Sequence, residues 1–400
     1  MITEKNQEQL IHPEIEVIEN ADSGKGIEWS TTLFFIFNPL VAVIGTILFA
    51  YFGFVGWQLI LFAVIFAGFT NLSITAGYHR LYAHRSYETT PFVEWIYLLI
   101  GASAWQGSAL KWCSDHRRHH MHIDTEKDPY NIQQGFWYAH MGWLFKKESV
   151  NQSIHAPDLE KNHRMQFQNR YYLALAIGTG YILPGLCTLA AYLCFADQVT
   201  ALTALGYFWS GVIVAGSLRI FLTEQSTFFV NSLAHTLGKQ PYSLDISAKD
   251  SLIVAILTHG EGYHNFHHKF QWDYRNAIKW YQWDPTKWII LSLKSLGLAK
   301  KLKEVSPIEI MKARLQVEAV KLSARGFSNE RIERMKEQIL AAQIRWKNLK
   351  ADYQNFKTSN MKSADAKLQI LKADLENAKR DFKTAFYQWK SLLKQSKAMN

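Results

Sequence analysis

Cysteine is scarce in this 400-residue chain. Of the three present, Cys113 stands alone and Cys187 and Cys194 lie inside an apolar run, so a disulfide scaffold and a CxxC metal or redox pair are excluded. Charge is also sparse. Charged residues are 20% of the chain against 48% hydrophobic ones, which excludes a wholly disordered polymer. The first thirty residues have no apolar core and no small-residue cleavage site, so no signal peptide is expected. Outside the tail there is no excess of positive charge. Residues 301–400 hold 22 Lys+Arg and 11 Asp+Glu, a net of +11, whereas the first 300 residues sum to −1. The basic balance belongs to the tail, and no nucleic-acid partner is expected.

Long uncharged runs are abundant in the body. Four of them, about Thr32–Phe52, Val55–Gly77, Tyr172–Phe195 and Leu202–Leu222, reach the roughly 20 residues that a ~30 Å hydrocarbon core requires. Asn38-Pro39 interrupts the first, a kink that neighbouring helices tolerate. The links Gly53–Phe54 and Ala196–Ala201 carry no Lys or Arg, whereas Arg80, Arg85, Lys111, Arg117, Arg118, Lys146, Lys147 and the tail lie on the other side. The positive-inside bias then puts both termini and the 78–171 connection in the cytoplasm. A fifth apolar stretch, Phe92–Ala104, is short and contains Glu94, so a re-entrant or interfacial helix is expected. The expected fold is all-α and membrane-integral: two helical hairpins (residues 31–298) with a cytoplasmic histidine-rich part. An N-terminal arm (1–30) precedes it and a basic helical extension (299–400) follows.

Nine of the fifteen histidines fall in four clusters: His79/His84, His116/His119/His120, His235 preceded by Asn231, and His264/His267/His268. Positions i, i+3 and i+4 share a helix face, so each HxxHH string presents three imidazoles together, and Asn231 stacks with His235. His79 and His84, five apart, are about 140° apart on an ideal helix and converge only if the helix ends between them. Imidazole is the commonest side-chain metal ligand and suits Zn, Cu, Fe or Ni. Nine exceed one ion's coordination shell, which points to two ions. The six other histidines read as ordinary core or surface residues.

These strings resemble the membrane-bound fatty acyl desaturases, and most of all their acyl-CoA Δ9 (stearoyl-CoA) branch. The likeness rests on Gly77–Ser86, Asp115–His120, Asn231–His235, Gly260–His268 and Trp283–Trp288, and covers about Thr31 to Leu298. The resemblance implies a di-iron enzyme that uses O₂ and two electrons to place a cis double bond in a saturated acyl chain. By similarity the catalytic and iron-ligating residues would be His79, His84, His116, His119, His120, His235, His264, His267 and His268. Asn231 would hold a water beside one iron. The resemblance also places Gln106, Trp112, Asp115, Lys147 and Phe228 near the substrate. Departures occur at Ser114, where the animal enzymes carry a CoA-contacting arginine, and at Gly107-Ser108, where they carry Asn-Asp. Losing a fixed cation weakens specific recognition of CoA phosphates. Acyl-CoA is the first expectation, acyl-ACP or a phospholipid acyl chain the next.

An unactivated C–H bond requires metal–oxygen chemistry rather than a side-chain acid or base. Its position on a featureless chain has to be set by a shaped apolar tunnel. In the tail, apolar residues from Ile332 to Phe356 and from Ala364 to Leu392 alternate by three and four around Thr358-Ser-Asn360. That pattern predicts an antiparallel helical hairpin, whose positive charge suits acidic lipid head groups or an acidic electron donor. No His-Pro-Gly-Gly haem signature occurs, so a separate donor of ferredoxin, rubredoxin or cytochrome b5 type is expected. A bacterial inner membrane suits this set better than the endoplasmic reticulum. A membrane hydroxylase with the same metal centre is the alternative. A histidine-rich transporter fits less well, because its ligands would lie within the spans rather than at their ends.

Overall fold

Residues 16–17, 26–147, 154–358 and 365–398 are described by a computed structural model of the chain. Among the described residues the helices of the body include α1 (Trp29–Tyr51), α2 (Trp57–Ala83), α3 (Pro91–Ala102), α4 (Ala109–His122), α5 (Tyr172–Phe195), α6 (Ala201–Thr236), α7 (His264–Lys269) and α8 (Pro285–Ser295). The tail adds α9 (Pro307–Ser323), α10 (Asn329–Thr358) and α11 (Asp365–Ala398). Strand structure among the described residues is limited to two antiparallel pairs, Glu16–Val17 with Ile154–His155 and Glu88–Thr89 with Ala299–Lys300.

Helices α1, α2, α5 and α6 are long and apolar enough to cross a bilayer. α1 makes the reason for a lipid solvent plain. Its mean hydropathy reaches 2.3, yet Leu33, Ile36, Phe37, Leu40, Ile44 and Ile47 all point outward and are exposed. Such a stripe costs free energy in water and none in hydrocarbon. The chain is therefore read as a multi-pass membrane protein. Asn38, between the spans, is satisfied internally: its Nδ2 donates to Ser217 O at 3.3 Å, and Tyr181 OH donates to its Oδ1 at 2.9 Å. Arg219 is buried and gives its donors to Ala215 O, Thr70 Oγ1 and Ser103 O.

Two spans run past the expected bilayer ends. α2 continues from Gly77 to Ala83, and its last stretch, Ser73–Ala83, widens into a π-helix. α6 continues from Leu222 to Thr236, with a turn residue at Ser232. Both extensions carry histidines out of the spans. At twelve residues, α3 is too short to cross. It packs tightly on α2, where a Cβ at Gly77 would meet Tyr97 Cβ at 2.7 Å.

The chain divides into two compact units, one of residues up to Lys239 with Ile246–Glu304, the other of Gln240–Asp245 with Val305–Asn400. The first ends at Glu304 rather than Leu298 because Lys303 N donates to Ser86 O at 2.9 Å and Ala299–Lys300 pairs with Glu88–Thr89. In the second, α10 and α11 are antiparallel: Arg345 lies 3.6 Å from Asp381, and Trp346 stacks on Phe382. α9 joins them as a third helix, so that Leu315, Leu322, Ile332, Ile339, Trp389 and Leu392 form one core. Trp389 Nε1 donates to Glu318 Oε2 at 2.7 Å. Ser359, Asn360 and Ala364 of the expected break lie outside the described residues, as does most of the 1–30 arm.

Candidate metal centre

The five-residue spacing of His79 and His84 is resolved by the π-turn. His84 N–H donates to His79 O at 3.0 Å, an i→i+5 bond that brings residues five apart over one another, and the two rings lie 4.7 Å apart. The helix does end at Ala83, but the widened turn, not the ending, does the stacking. α4 starts at its N-cap Ser108, whose hydroxyl accepts from Lys111 N at 3.3 Å. α7 is too short to hold itself. It is pinned by Asn265 Nδ2 on Ala248 O at 3.0 Å and Phe266 N on Asp250 Oδ1 at 3.0 Å.

The structure brings all nine clustered histidines together and sorts them into two groups that could each hold a metal ion. His79, His84, His116, His120 and His267 form one; His119, His235, His264 and His268 form the other. Each HxxHH string is split. On α4 the i,i+4 pair faces the first group and His119 the second; on α7 His264 and His268 face the second and His267 the first. The three imidazoles of a string thus do not act as one set, because a helix face is wide enough for i+3 and i+4 to diverge around a shared wall.

Nε2 atoms face one another within the groups: His84 and His116 at 2.8 Å, His79 and His267 at 3.0 Å, His120 and His267 at 3.1 Å, His264 and His268 at 3.0 Å. One proton per facing pair satisfies at most one lone pair, whereas a central cation takes them all. Three of the outer nitrogens face acceptors. His79 Nδ1 lies 3.0 Å from Glu261 Oε2, His119 Nδ1 2.9 Å from Asp128 Oδ1, and His235 Nδ1 2.7 Å from Ser247 Oγ, which hydrogen-bonds Asp124. These contacts assign the proton to Nδ1 and aim the Nε2 lone pair inward, the usual arrangement of metal-bound histidine. The donor set, all imidazole, fits iron as well as zinc or copper.

Burial, followed by the repulsion of neighbouring imidazoles, depresses the pKa of His116, His120, His264, His267 and His268 well below the ordinary value. They are held neutral, the form that binds metal. In metal-stripped protein the sign follows: unfolded histidines gain protons below about pH 6.5 while these stay bare, so stability is expected to fall as pH drops through about 6.5. Melting temperature against pH after chelation checks this, and a flat profile would contradict it.

Behind the first group lies a buried ionic network. Arg80 donates from Nη2 to Glu261 Oε1 at 3.0 Å and from Nη1 to Asp284 Oδ2 at 3.2 Å, and Asn276 Nδ2 donates to Glu261 Oε2 at 2.7 Å. Burial alone would raise the Glu261 carboxyl, but the facing His79 ring and the Arg80 guanidinium overcome it and hold it at about 2. Gly260 makes this approach: it has φ +103°, and a Cβ there would sit 2.9 Å from Asp284 Cα. Gly260→Ala is expected to cost about 1–3 kcal/mol and to lower metal content, read by thermal melting and metal analysis.

A cavity of about 620 Å³, within the range of small-molecule sites, opens beside the histidines and is lined by His79, His116, His119, His264 and Asn231. Phe34, Phe35, Trp105 and Phe228 make its wall apolar, and its lining also includes the exposed Lys111 and Lys146 and the partly buried Asp115. Gln106 and Trp112 also line it: Trp112 Nε1 donates to Gln106 Oε1 at 3.2 Å, Gln106 Nε2 donates to Thr227 Oγ1 at 2.8 Å, and Trp112 stacks on His116. Lys147 is not among the lining residues. Its backbone N–H donates to Gly26 O at 3.1 Å, and its neighbour Lys146 takes the lining position. Sequence reasoning passed over Asp128, Ser247, Glu224 and Thr227. Glu261 and Asp284 stood inside quoted strings without a role.

Comparison with known proteins agrees with this geometry. The family model described as fatty acid desaturase matches residues 30–293. Acyl-CoA desaturase 1 of Saccharomyces cerevisiae is 42% identical over 66% of this chain and 49% of its own length. Stearoyl-CoA desaturase of Homo sapiens is 34% identical over 63% of this chain and 68% of its own. The sn-1 stearoyl-lipid 9-desaturase of Anabaena variabilis is 32% identical over 69% and 94%. The chain spans about half the length of the yeast relative. With two imidazole groups at the wall of an apolar cavity and a family match over most of the body, this chain belongs to the fatty acid desaturase family.

Proposed function

We propose that the chain is an O₂-dependent fatty acyl desaturase that sets a cis double bond, at Δ9, in a saturated acyl chain carried as acyl-CoA. The observation that carries this reading is the apolar cavity running along two imidazole groups. The nine histidines would hold two irons, with Asn231 holding a water beside one of them. The chemistry that such irons supply when bound is the removal of two hydrogens from an unactivated chain, with O₂, two electrons and two protons consumed and two waters released.

The protein's own part is positioning. Phe34, Phe35, Trp105 and Phe228 confine the chain and keep out water, while Trp112, stacked on His116 and tied to Gln106, fixes the wall beside the metal. The exposed Lys111 and Lys146 in the cavity lining suit a phosphate-bearing head group. The named relatives include acyl-CoA and lipid-linked enzymes, and acyl-ACP or phospholipid are the alternative carriers. A separate donor of ferredoxin, rubredoxin or cytochrome b5 type supplies the electrons. The histidine groups and both termini face the cytoplasm of a bacterial inner membrane, following the positive-inside bias.

The test is the membrane fatty-acid profile of a host expressing the chain together with a compatible donor, beside a His264→Ala control. A new monounsaturated acid in the wild type alone supports desaturation, and its bond position reads the regiochemistry. A hydroxylated chain would replace this reading with the hydroxylase one.

A further inference from the structure

We infer that Glu224 forms a polar stop at the buried end of the acyl cavity, accepting a hydroxyl group on the occupant and turning away a methyl group. The inference rests on the acyl-substrate reading above. Glu224, Thr227 and Asn231 follow one another at i, i+3 and i+7 on α6, share a face, and all line the cavity. Lys111 and Lys146 are exposed residues of that lining; Glu224, in the same lining, is 1% exposed. Asn71, two turns before His79 on α2, lines the cavity too.

Among the described residues neither carboxylate oxygen of Glu224 has a hydrogen-bond partner. Burying a carboxyl in that state is costly, and native folds rarely do so without a use for it. The guanidinium five residues away attracts it by charge but directs its hydrogen bonds elsewhere. Arg219 directs Nε to Ala215 O at 2.7 Å, Nη1 to Thr70 Oγ1 at 3.2 Å and Nη2 to Ser103 O at 3.0 Å. The partner for Glu224 therefore has to enter through the cavity. A saturated chain end offers no hydrogen bond there, whereas a hydroxyl both donates and accepts. A site built to bond a hydroxyl discriminates strongly against the analogue without one. Seven residues of helix separate Glu224 from Asn231 by about 10 Å, a span that about eight carbons of extended chain cover. The polar group belongs about that far beyond the reacting carbons.

The experiment titrates the purified full-length protein with acyl-CoAs of increasing chain length and with their ω-hydroxy counterparts. Binding is read as thermal stabilisation, and products of aerobic turnover with a donor are read by mass spectrometry. In the wild type, stabilisation is expected to drop at one chain length and to return when that chain carries the ω-hydroxyl. Glu224→Leu is expected to move the drop at least two carbons further, to bind the first rejected chain about tenfold more tightly, and to lose the preference for the hydroxyl. Glu224→Gln, which stays polar, keeps the wild-type order. An unchanged drop in a folded Glu224→Leu protein overturns the inference. So does a wild type that binds plain and hydroxylated chains alike, a comparison that needs no variant. Binding in the expected order without a double bond in any product would overturn the desaturase reading and support the stop.

Discussion

Alanine at His264 is expected to abolish turnover and to lower bound metal from about two ions per chain to about one. His264 belongs to the group of four imidazoles, with His119, His235 and His268. Removing it leaves three, and its facing partner His268, 3.0 Å away, loses that contact. His120→Ala strikes the other group, where four imidazoles remain. It is expected to weaken that ion by more than the 10–100-fold typical of losing an orienting partner, and also to end turnover. His140→Ala is the control. His140 is as buried as the others, but its two nitrogens are engaged by Ser232 Oγ at 2.9 Å and Gln225 Oε1 at 3.0 Å, away from both groups. Metal analysis and product assay on the three variants check the assignment. Full metal and full activity in His264→Ala or His120→Ala would remove that residue from the ligand set.

What the sequence made legible was whatever repeats locally. An apolar run long enough to span a bilayer is a property of consecutive residues, so α1, α2, α5 and α6 could be placed before their partners were known. Where helices outran the bilayer the signal vanished, because the ends of α2 and α6 are polar and histidine-bearing yet still helical. The His79–His84 spacing looked wrong for any regular helix. It became intelligible only with the i→i+5 turn, which the surrounding packing imposes and no propensity announces. The HxxHH strings revealed themselves as metal-ligand spacing, but not their division between two groups, since that depends on where the facing helix lies. Glu261 and Asp128 lie against His79 and His119, yet each is a single carboxylate. One of them reaches His79 across more than 180 residues of chain, and no local pattern encodes that. The tail seam of α10 and α11 followed from heptad spacing, whereas α9 joining the same core did not.

Arg80→Gln is expected to be the most destabilising single change in the body. The guanidinium is 1% exposed and lies 3.0 Å from both Glu261 and Asp284, with Tyr274 O accepting from it at 2.8 Å. A buried pair contributes little net stability over an apolar replacement, but deleting one partner strands the other charges, at about 3–5 kcal/mol. Here two carboxylates would be stranded. Asp284 keeps the N–H groups of Asn276, Ala277 and Lys287 at 2.9–3.1 Å, so Glu261 would bear most of the loss. Glu261 is also what aims His79, and an unpaired carboxylate relaxing toward water would turn that imidazole from its group. Glu261→Gln should be milder in stability, since Arg80 retains Asp284, but comparable in metal loss through His79. Thermal melting and metal content on both variants separate the two effects. If Arg80→Gln melted like the wild type, the network would be decoration; if it lost stability but kept metal, His79 would be held in place by its neighbouring imidazoles rather than by Glu261.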